Sequence, residues 1–146
     1  MEIVTNRLMI KPCEEKLLPV EMEIGPHIQH YLEEVELDSD LKGWGVWLVF
    51  RKDDEQLIGD IGFKGKPDNG IVEVGYGILR EEQGQGYATE AVEALLNWAF
   101  KSGKVKKVLA ECLKTNTASI KVLEKVSMTK VEEDDLMMFW ERHIFH

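Results

Sequence analysis

Ile71-Val72-Glu73-Val74-Gly75-Tyr76-Gly77-Ile78-Leu79-Arg80, then Glu81-Glu82-Gln83-Gly84-Gln85-Gly86-Tyr87-Ala88-Thr89-Glu90, then Ala91-Val92-Glu93-Ala94-Leu95-Leu96-Asn97-Trp98-Ala99-Phe100-Lys101: this stretch decides the fold. Its first part is apolar and rich in β-branched residues, which predicts a strand over Ile71–Leu79. Its last part repeats apolar residues at three-and-four spacing (Ala88, Ala91, Val92, Leu95, Leu96, Ala99), which predicts a helix with one buried face, ending near Phe100. Gln83-Gly84-Gln85-Gly86-Tyr87-Ala88 lies between them. Strand, glycine-rich turn and helix in that order make an anion site. Glycine permits positive φ and close backbone approach, and the first helical turn presents unpaired N–H groups with the helix dipole behind them. Phosphate or pyrophosphate is the guest such a turn accepts.

Upstream, a first strand is predicted over Ile3–Ile10, and Pro12 and Pro19 bracket a stretch with no regular pattern. A short amphipathic helix is predicted over His27–Leu37, with Ile28, Tyr31, Leu32 and Val35 inward. Gly43-Trp44-Gly45 breaks the chain before strands at Val46–Phe50 and Leu57–Phe63, joined by a turn at Asp53–Gln56. Gly59 in the second of these suggests a close backbone approach. Pro67-Asp68-Asn69-Gly70 is a strong turn signal leading into the central strand. Downstream, Ser102-Gly103 ends the helix and Val105–Leu113 reads as a strand. A helix capped by Asn116 or Thr117 runs to about Val126 with Ile120, Leu123 and Val126 inward. One or two strands follow from Val131 to the end, Leu136–Trp140 being the better candidate. Strand, helix and strand with short joints imply a crossover and a parallel pair. The expected architecture is a mixed α/β single domain over 1–146.

At 146 residues, 44% hydrophobic and 31% charged, the chain can bury a substantial core. Its net charge of −9 comes with no basic block, which argues against a nucleic-acid partner and suits solubility or an amine-bearing substrate. Cys13 and Cys112 are far apart and form neither a disulfide framework nor a zinc pattern, consistent with reduced thiols in the cytoplasm. No apolar run approaches membrane-spanning length, and Met1 to Arg7 does not have the pattern of a signal peptide. A homodimer stays open.

The glycine turn admits three readings. A nucleotide P-loop ends in Gly-Lys-Ser/Thr, whereas Gly86 precedes Tyr87. A dinucleotide fingerprint places Gly or Ala where Thr89 stands, and it follows a first strand instead of lying mid-chain. The third reading is a resemblance. Gln83, Gly86 and Ala88, followed by Thr89-Glu90-Ala91, resemble the acetyl-coenzyme A motif of the GCN5-related N-acetyltransferases (GNAT). Asn116-Thr117-Ala118-Ser119-Ile120 with Leu123-Glu124-Lys125 is similar to the second half of the cofactor site in the ribosomal-protein N-terminal acetyltransferase branch. Thr5-Asn6-Arg7-Leu8 and Leu57-Ile58-Gly59-Asp60-Ile61-Gly62 also look like that branch. Three departures accompany the resemblance. The segment before Trp44 is short for two acceptor-pocket helices, Leu123 stands where many relatives carry a tyrosine acid, and Ser127-Met128 replaces a Gly-Phe.

The resemblance implies a GNAT-like mixed central sheet and direct acetyl transfer from acetyl-coenzyme A to an amine, on a small molecule or a protein N-terminus. It implies that the backbone of Gly84, Gln85, Gly86, Tyr87, Ala88 and Thr89 holds the pyrophosphate. Ile78 and Leu79 would pair with the pantetheine as an added strand, one N–H there would stabilise the oxyanion, and Asn116 would hydrogen-bond the pantetheine arm. A lysine-like amine with a pKa of about 10.4 needs about 4.6 kcal/mol to be neutral at pH 7, an α-amine about 1 kcal/mol. Glu73 is the candidate base. Strand alternation puts it with Gly75 and Gly77 on a face that small residues leave open. Ser119 is the available donor to the departing thiolate. The tryptophans read as core or pocket wall, His27 and His30 as surface residues of an acidic helix, and Glu132–Asp135 as a solvated turn. Lys121 and Lys125 read as exposed helix lysines, within range of the cofactor's 3′-phosphate. The competing function is a non-catalytic acyl-coenzyme A binding or sensing module, and several carboxylates in the acceptor pocket would point to a polyamine or aminoglycoside.

Overall fold

The structure is a computed structural model that describes residues 1–144. Its centre is the strand read first: β5 (Ile71–Ile78) leads through a 3-10 turn at Arg80–Glu82 and the glycine loop into α2 (Tyr87–Lys101). Before it come β1 (Ile3–Val4), β2 (Leu8–Pro12), α1 (Pro26–Leu37), β3 (Val46–Arg51) and β4 (Leu57–Phe63). After it come β6 (Lys107–Leu113), α3 (Thr117–Lys125), β7 (Thr129–Glu133) and β8 (Met137–His143). The strands form one eight-stranded sheet in the order β1-β2-β3-β4-β5-β6-β8-β7. All pairs are antiparallel except β5 with β6, which α2 joins as a crossover. Among the described residues no helix is long and apolar enough to cross a membrane.

Most predicted elements stand where the periodicity puts them, and the differences have local causes. The strand expected over Ile3–Ile10 is two strands paired with each other, Ile3 opposite Ile10, because the chain folds back at Thr5–Arg7. The Asp53–Gln56 turn lacks glycine and closes with Glu55 at φ 58°, while Asn69 and Gly70 adopt the positive φ expected of them. Glu132 and Glu133, read as part of a turn, belong to β7. The turn is Asp134-Asp135, where Asp134 Oδ1 accepts from the N–H groups of Leu136 and Met137. Of the C-terminal reach predicted as strand, Phe145 and His146 lie outside the described residues.

The core fills the space between the sheet and α2. Ala91, Val92, Leu95, Leu96 and Ala99 are fully buried along one stripe of α2, each large apolar side chain contributing about 1.5–3 kcal/mol. Trp98 packs against Trp44 in a tilted pair and against Trp47 edge to face, at centroid distances of 4.8 and 5.0 Å, so these tryptophans are core, as expected. Leu123 is fully buried as well, a packing residue of α3. On the opposite face of the sheet a single helix, α1, lies near β3, β4 and β5, with Ile28 and Tyr31 buried.

Candidate active site

The sheet opens at its middle. β5 and β6 pair only from Ile71 opposite Lys107 to Glu73 opposite Leu109. Beyond that, Val74 to Ile78 stay paired with β4 on one side while β6 departs on the other. The direction of the unused backbone groups follows from antiparallel alternation. Lys64 N–H bonds the Glu73 carbonyl and Leu79 N–H bonds the Ile58 carbonyl, so odd-numbered residues of β5 turn their amides to β4. The amides of Val74, Tyr76 and Ile78 therefore face away from β4: that of Val74 makes the last rung to β6, and those of Tyr76 and Ile78 face the wedge. The side chain of Gln83 reaches back to this edge, its Nε2 donating to the Ile78 carbonyl at 2.9 Å. Leu79, expected to pair a ligand, has its N–H on Ile58, while the Ile78 N–H faces the opening.

At the mouth of the wedge lies the glycine loop. Gly84 and Gly86 have φ of 81° and 82°, and Gly86 is the residue from which α2 starts. A Cβ on Gly84 would meet nothing within 4 Å, so its lack of a side chain answers to backbone conformation and not to packing. The first backbone bond into α2 is Glu90 N–H to the Gly86 carbonyl. The N–H groups from Gly84 to Thr89 find no acceptor among the described residues. Such a run of converging donors on a helix dipole is built for an anion. The side chain of Tyr87 takes no part: its ring is buried beneath the Arg7 guanidinium, 4.4 Å from the centroid.

The β1–β2 turn holds this loop in place. Glu90 accepts from Thr5 Oγ1 at 2.6 Å, from the Arg7 N–H at 2.9 Å and from Arg7 Nε at 2.7 Å. Arg7 Nη1 also donates to the Gln85 carbonyl at 2.8 Å. Burial pushes the Glu90 carboxyl up, but the bonds from Thr5 and Arg7 outweigh it and hold its pKa below the ordinary value. Thr5-Asn6-Arg7-Leu8, noticed for its likeness to a family branch, thus acts as a clamp on the anion loop.

Across the wedge, Asn116 caps α3, its Oδ1 accepting from the Ser119 N–H at 3.1 Å. Its Nδ2 makes no bond among the described residues. Ser119 faces β5: the Tyr76 hydroxyl lies 3.0 Å from Ser119 Oγ and 3.3 Å from the Ser119 carbonyl. Burial raises the Tyr76 pKa, with the Ser119 bond lowering it in part, so the phenol remains a proton donor. Sequence reading gave Tyr76 no role. Strand alternation puts it on the face opposite Glu73, but nothing local shows which residue it meets there.

The other face of β4 and β5 carries a groove of about 980 Å³ beneath α1. Its floor is nearly bare, since a Cβ on Gly77 would meet nothing within 4 Å and one on Gly75 only the end of Lys64. The wall is mainly apolar, with Met22, Leu48, Leu57 and Phe63, and its carboxylates are Glu34 and Asp60. Glu34 pairs with His30 on its own helix. Asp60 Oδ2 lies 3.2 Å from His27 Nε2. Glu73 shares the glycine face, as alternation predicts, but its Oε2 accepts from Lys64 Nζ at 2.6 Å and it does not line the groove. Behind the groove, burial pushes the Cys13 thiol up to about 11, with Asp60 and Glu14 adding to it. Burial likewise raises the Tyr31 phenol to about 12. Cys13 is therefore a protonated thiol, unsuited to carrying an acyl group.

Comparison with known proteins agrees with this geometry. The model of the acetyltransferase (GNAT) domain matches residues 19–129, and the chain belongs to that family. Uncharacterized N-acetyltransferase YjdG of Bacillus subtilis (strain 168) is 34% identical over 100 residues, covering 68% of this chain and 60% of that protein. The chain thus spans less than two thirds of that relative's length. Among solved structures, a GNAT-family acetyltransferase from Bacillus anthracis superposes with a TM-score of 0.79 at 20% identity, over 100% of both chains. A ribosomal L7/L12 alpha-N-protein acetyltransferase in complex with coenzyme A gives 0.78 at 18% identity, over 98% of both. These likenesses establish the fold.

Proposed function

We propose that the protein transfers an acetyl group from acetyl-coenzyme A to a primary amine. One observation carries this reading: the unpaired N–H groups from Gly84 to Thr89 lie at the mouth of a wedge whose own strand edge, Tyr76–Ile78, has no neighbouring strand on the side away from β4. The first suits a pyrophosphate, and the second suits an extended arm that pairs like a strand. Bound there, acetyl-coenzyme A would supply an activated thioester. The amides of Tyr76 and Ile78 would hold its amide-bearing arm and the developing oxyanion, and Asn116 Nδ2 would bond the same arm. Ser119, with the Tyr76 hydroxyl behind it, would give the thiolate a proton. The acceptor enters from the α1 face. A groove with an apolar wall and few carboxylates fits an amine with one charge on an apolar stem better than a polyamine or aminoglycoside. The α-amine of a peptide and a small monoamine both satisfy this.

Calorimetric titration with coenzyme A tests the site, and thiol release on mixing acetyl-coenzyme A with an amine panel tests the activity. Gly86→Val is expected to weaken coenzyme A binding more than tenfold, about 1.4 kcal/mol. The substitution also strains a left-handed backbone by about 1–2 kcal/mol, which a thermal melt measures separately. A melting curve that NAD shifts and coenzyme A does not would overturn the reading. Binding without thiol release would leave an acyl-coenzyme A binding module.

A further inference from the structure

The acceptor groove needs a group that removes a proton from the incoming ammonium, because only the neutral amine attacks a thioester. We propose that Asp60, held by His27, is that group. The proposal rests on the acetyl-transfer reading and assigns its proton acceptor.

Three observations converge on Asp60. The first is position. Asp60 lies on β4 directly opposite Gly77 in the strand register, next to the β5 edge that borders the wedge. Gly77 has no side chain, and the space above it is empty to 4 Å. A group in the groove therefore has an open approach from Asp60 to the end of the wedge where the amide of Ile78 points. The second is availability. Oδ2 is bonded to His27, while Oδ1 accepts nothing among the described residues, and the side chain keeps 30% of its exposure. The groove's other carboxylate, Glu34, is engaged by His30 and is more exposed. Glu73, the base expected from sequence, has a lysine ammonium on Oε2 and stands off the groove wall, where the strands β5 and β6 are still joined. The third is the nature of the partner. A lysine already carries its proton, whereas an imidazole can receive one. The His27 ring is 61% exposed and can pass the proton on to water.

The proton count closes. The acceptor arrives as R–NH₃⁺ and gives one proton to Asp60 Oδ1, which the Asp60–His27 pair releases to solvent. The neutral nitrogen then forms the C–N bond as the C–S bond breaks. The second nitrogen proton leaves to solvent as the tetrahedral intermediate collapses, while Ser119 gives its hydroxyl proton to the thiolate and regains one from solvent through the Tyr76 hydroxyl, so one net proton is released. No oxidant or further reactant is required.

The charged and titratable groups facing Asp60 are His27, His30, Tyr31 and Glu34 from α1, Cys13 and Glu14 from the segment after β2, and Lys64 at the end of its own strand. The test compares Asp60→Asn, His27→Gln, Glu73→Gln and, as a control on α1 away from the groove, Glu36→Gln. Initial rates are measured with acetyl-coenzyme A and two defined acceptors, a serine-initiated hexapeptide and phenethylamine, from mildly acidic to alkaline pH. Asp60→Asn is expected to lower kcat by at least about 10²-fold at neutral pH, with coenzyme A affinity by calorimetry unchanged, which also certifies the fold. The deficit should shrink at alkaline pH, where the amine is already neutral, and should be smaller for the peptide α-amine than for phenethylamine. His27 is a positioning residue. His27→Gln should lower kcat by about tenfold and move the acid limb of the pH profile, with the KM for acetyl-coenzyme A unchanged. Glu36→Gln should match the wild type. An Asp60→Asn enzyme that keeps wild-type kcat at neutral pH overturns the proposal and leaves acetyl transfer standing. A pH-independent deficit also overturns it, since a merely structural role would give one. Wild-type protein that binds coenzyme A yet releases no thiol with any amine overturns the transfer reading itself.

Discussion

Glu90 shows how much of this site depends on single side chains. One carboxylate in the first turn of α2 receives a hydroxyl, a backbone amide and a guanidinium, all from the β1–β2 turn. Those bonds fix the start of α2 and, through Arg7, the Gln85 carbonyl. Its pKa is depressed in the folded protein, so its contribution to stability is present above about pH 4.5, the ordinary value, and is lost as pH falls through the lower folded value. Glu90→Gln is accordingly expected to destabilise the protein by about 1.5 kcal/mol at neutral pH. Thermal melts should show the gap to wild type closing as the pH drops below that of the free carboxylate. A gap constant down to pH 3 would show that charge is not what Glu90 supplies. At this scale the sequence was least legible. Asp60 and His27 lie 33 positions apart and Thr5 and Glu90 lie 85 apart, and no local pattern joins such pairs. His27 was read as a surface residue, and it is exposed; what exposure alone does not reveal is the carboxylate 3.2 Å from its Nε2.

Elements were legible wherever local chemistry dictates them. The α2 stripe, the Asn69-Gly70 turn and the Asn116 cap each follow from residues within a few positions of one another. The same local view explains the departure at Ser127-Met128. After α3 the Met128 N–H bonds the Leu123 carbonyl and the Ser127 N–H bonds the Glu124 carbonyl, a pattern that closes a helix only with the residue between in the left-handed region. Ser127 occupies it at φ 63°. A serine there carries Cβ strain that glycine lacks, so Ser127→Gly is expected to stabilise the protein by about 1 kcal/mol. The melting midpoint should rise by a few degrees, with coenzyme A affinity unchanged. An unchanged or lowered midpoint would mean that the Ser127 side chain contributes more than its strain removes.

At the scale of the whole molecule the decisive feature is the departure of β6 from β5 after Glu73 and Leu109. The parallel pair and its crossover were legible, because short joints between strand and helix leave little choice of topology. The length of the pairing was not, since it depends on how α3 and β8 draw β6 away, a sum of long-range contacts. The wedge leaves two sets of amides without strand partners: Tyr76 and Ile78 on the edge, and Gly84 to Thr89 at the mouth. Leu79, adjacent in sequence, is already bonded to Ile58. Ligand binding should therefore change exchange at these positions in an alternating pattern. With coenzyme A at about 100 times its Kd, the folded state gains about 2.7 kcal/mol by mass action, which slows exchange globally wherever exchange requires unfolding. Against that background, the amides of Tyr76, Ile78 and the Gly84–Thr89 run are expected to gain additional protection, because they acquire hydrogen-bond acceptors that the free protein does not offer. Leu79 should gain only the global increment. Residue-resolved amide exchange by NMR, with and without coenzyme A, reads the difference directly. Protection confined to Gly84–Thr89 would place the phosphates at the loop and the arm outside the wedge. Equal gains at Ile78 and Leu79 would show that β5 merely tightens as a whole. An alternating gain along β5 is the signature of a strand being added to it.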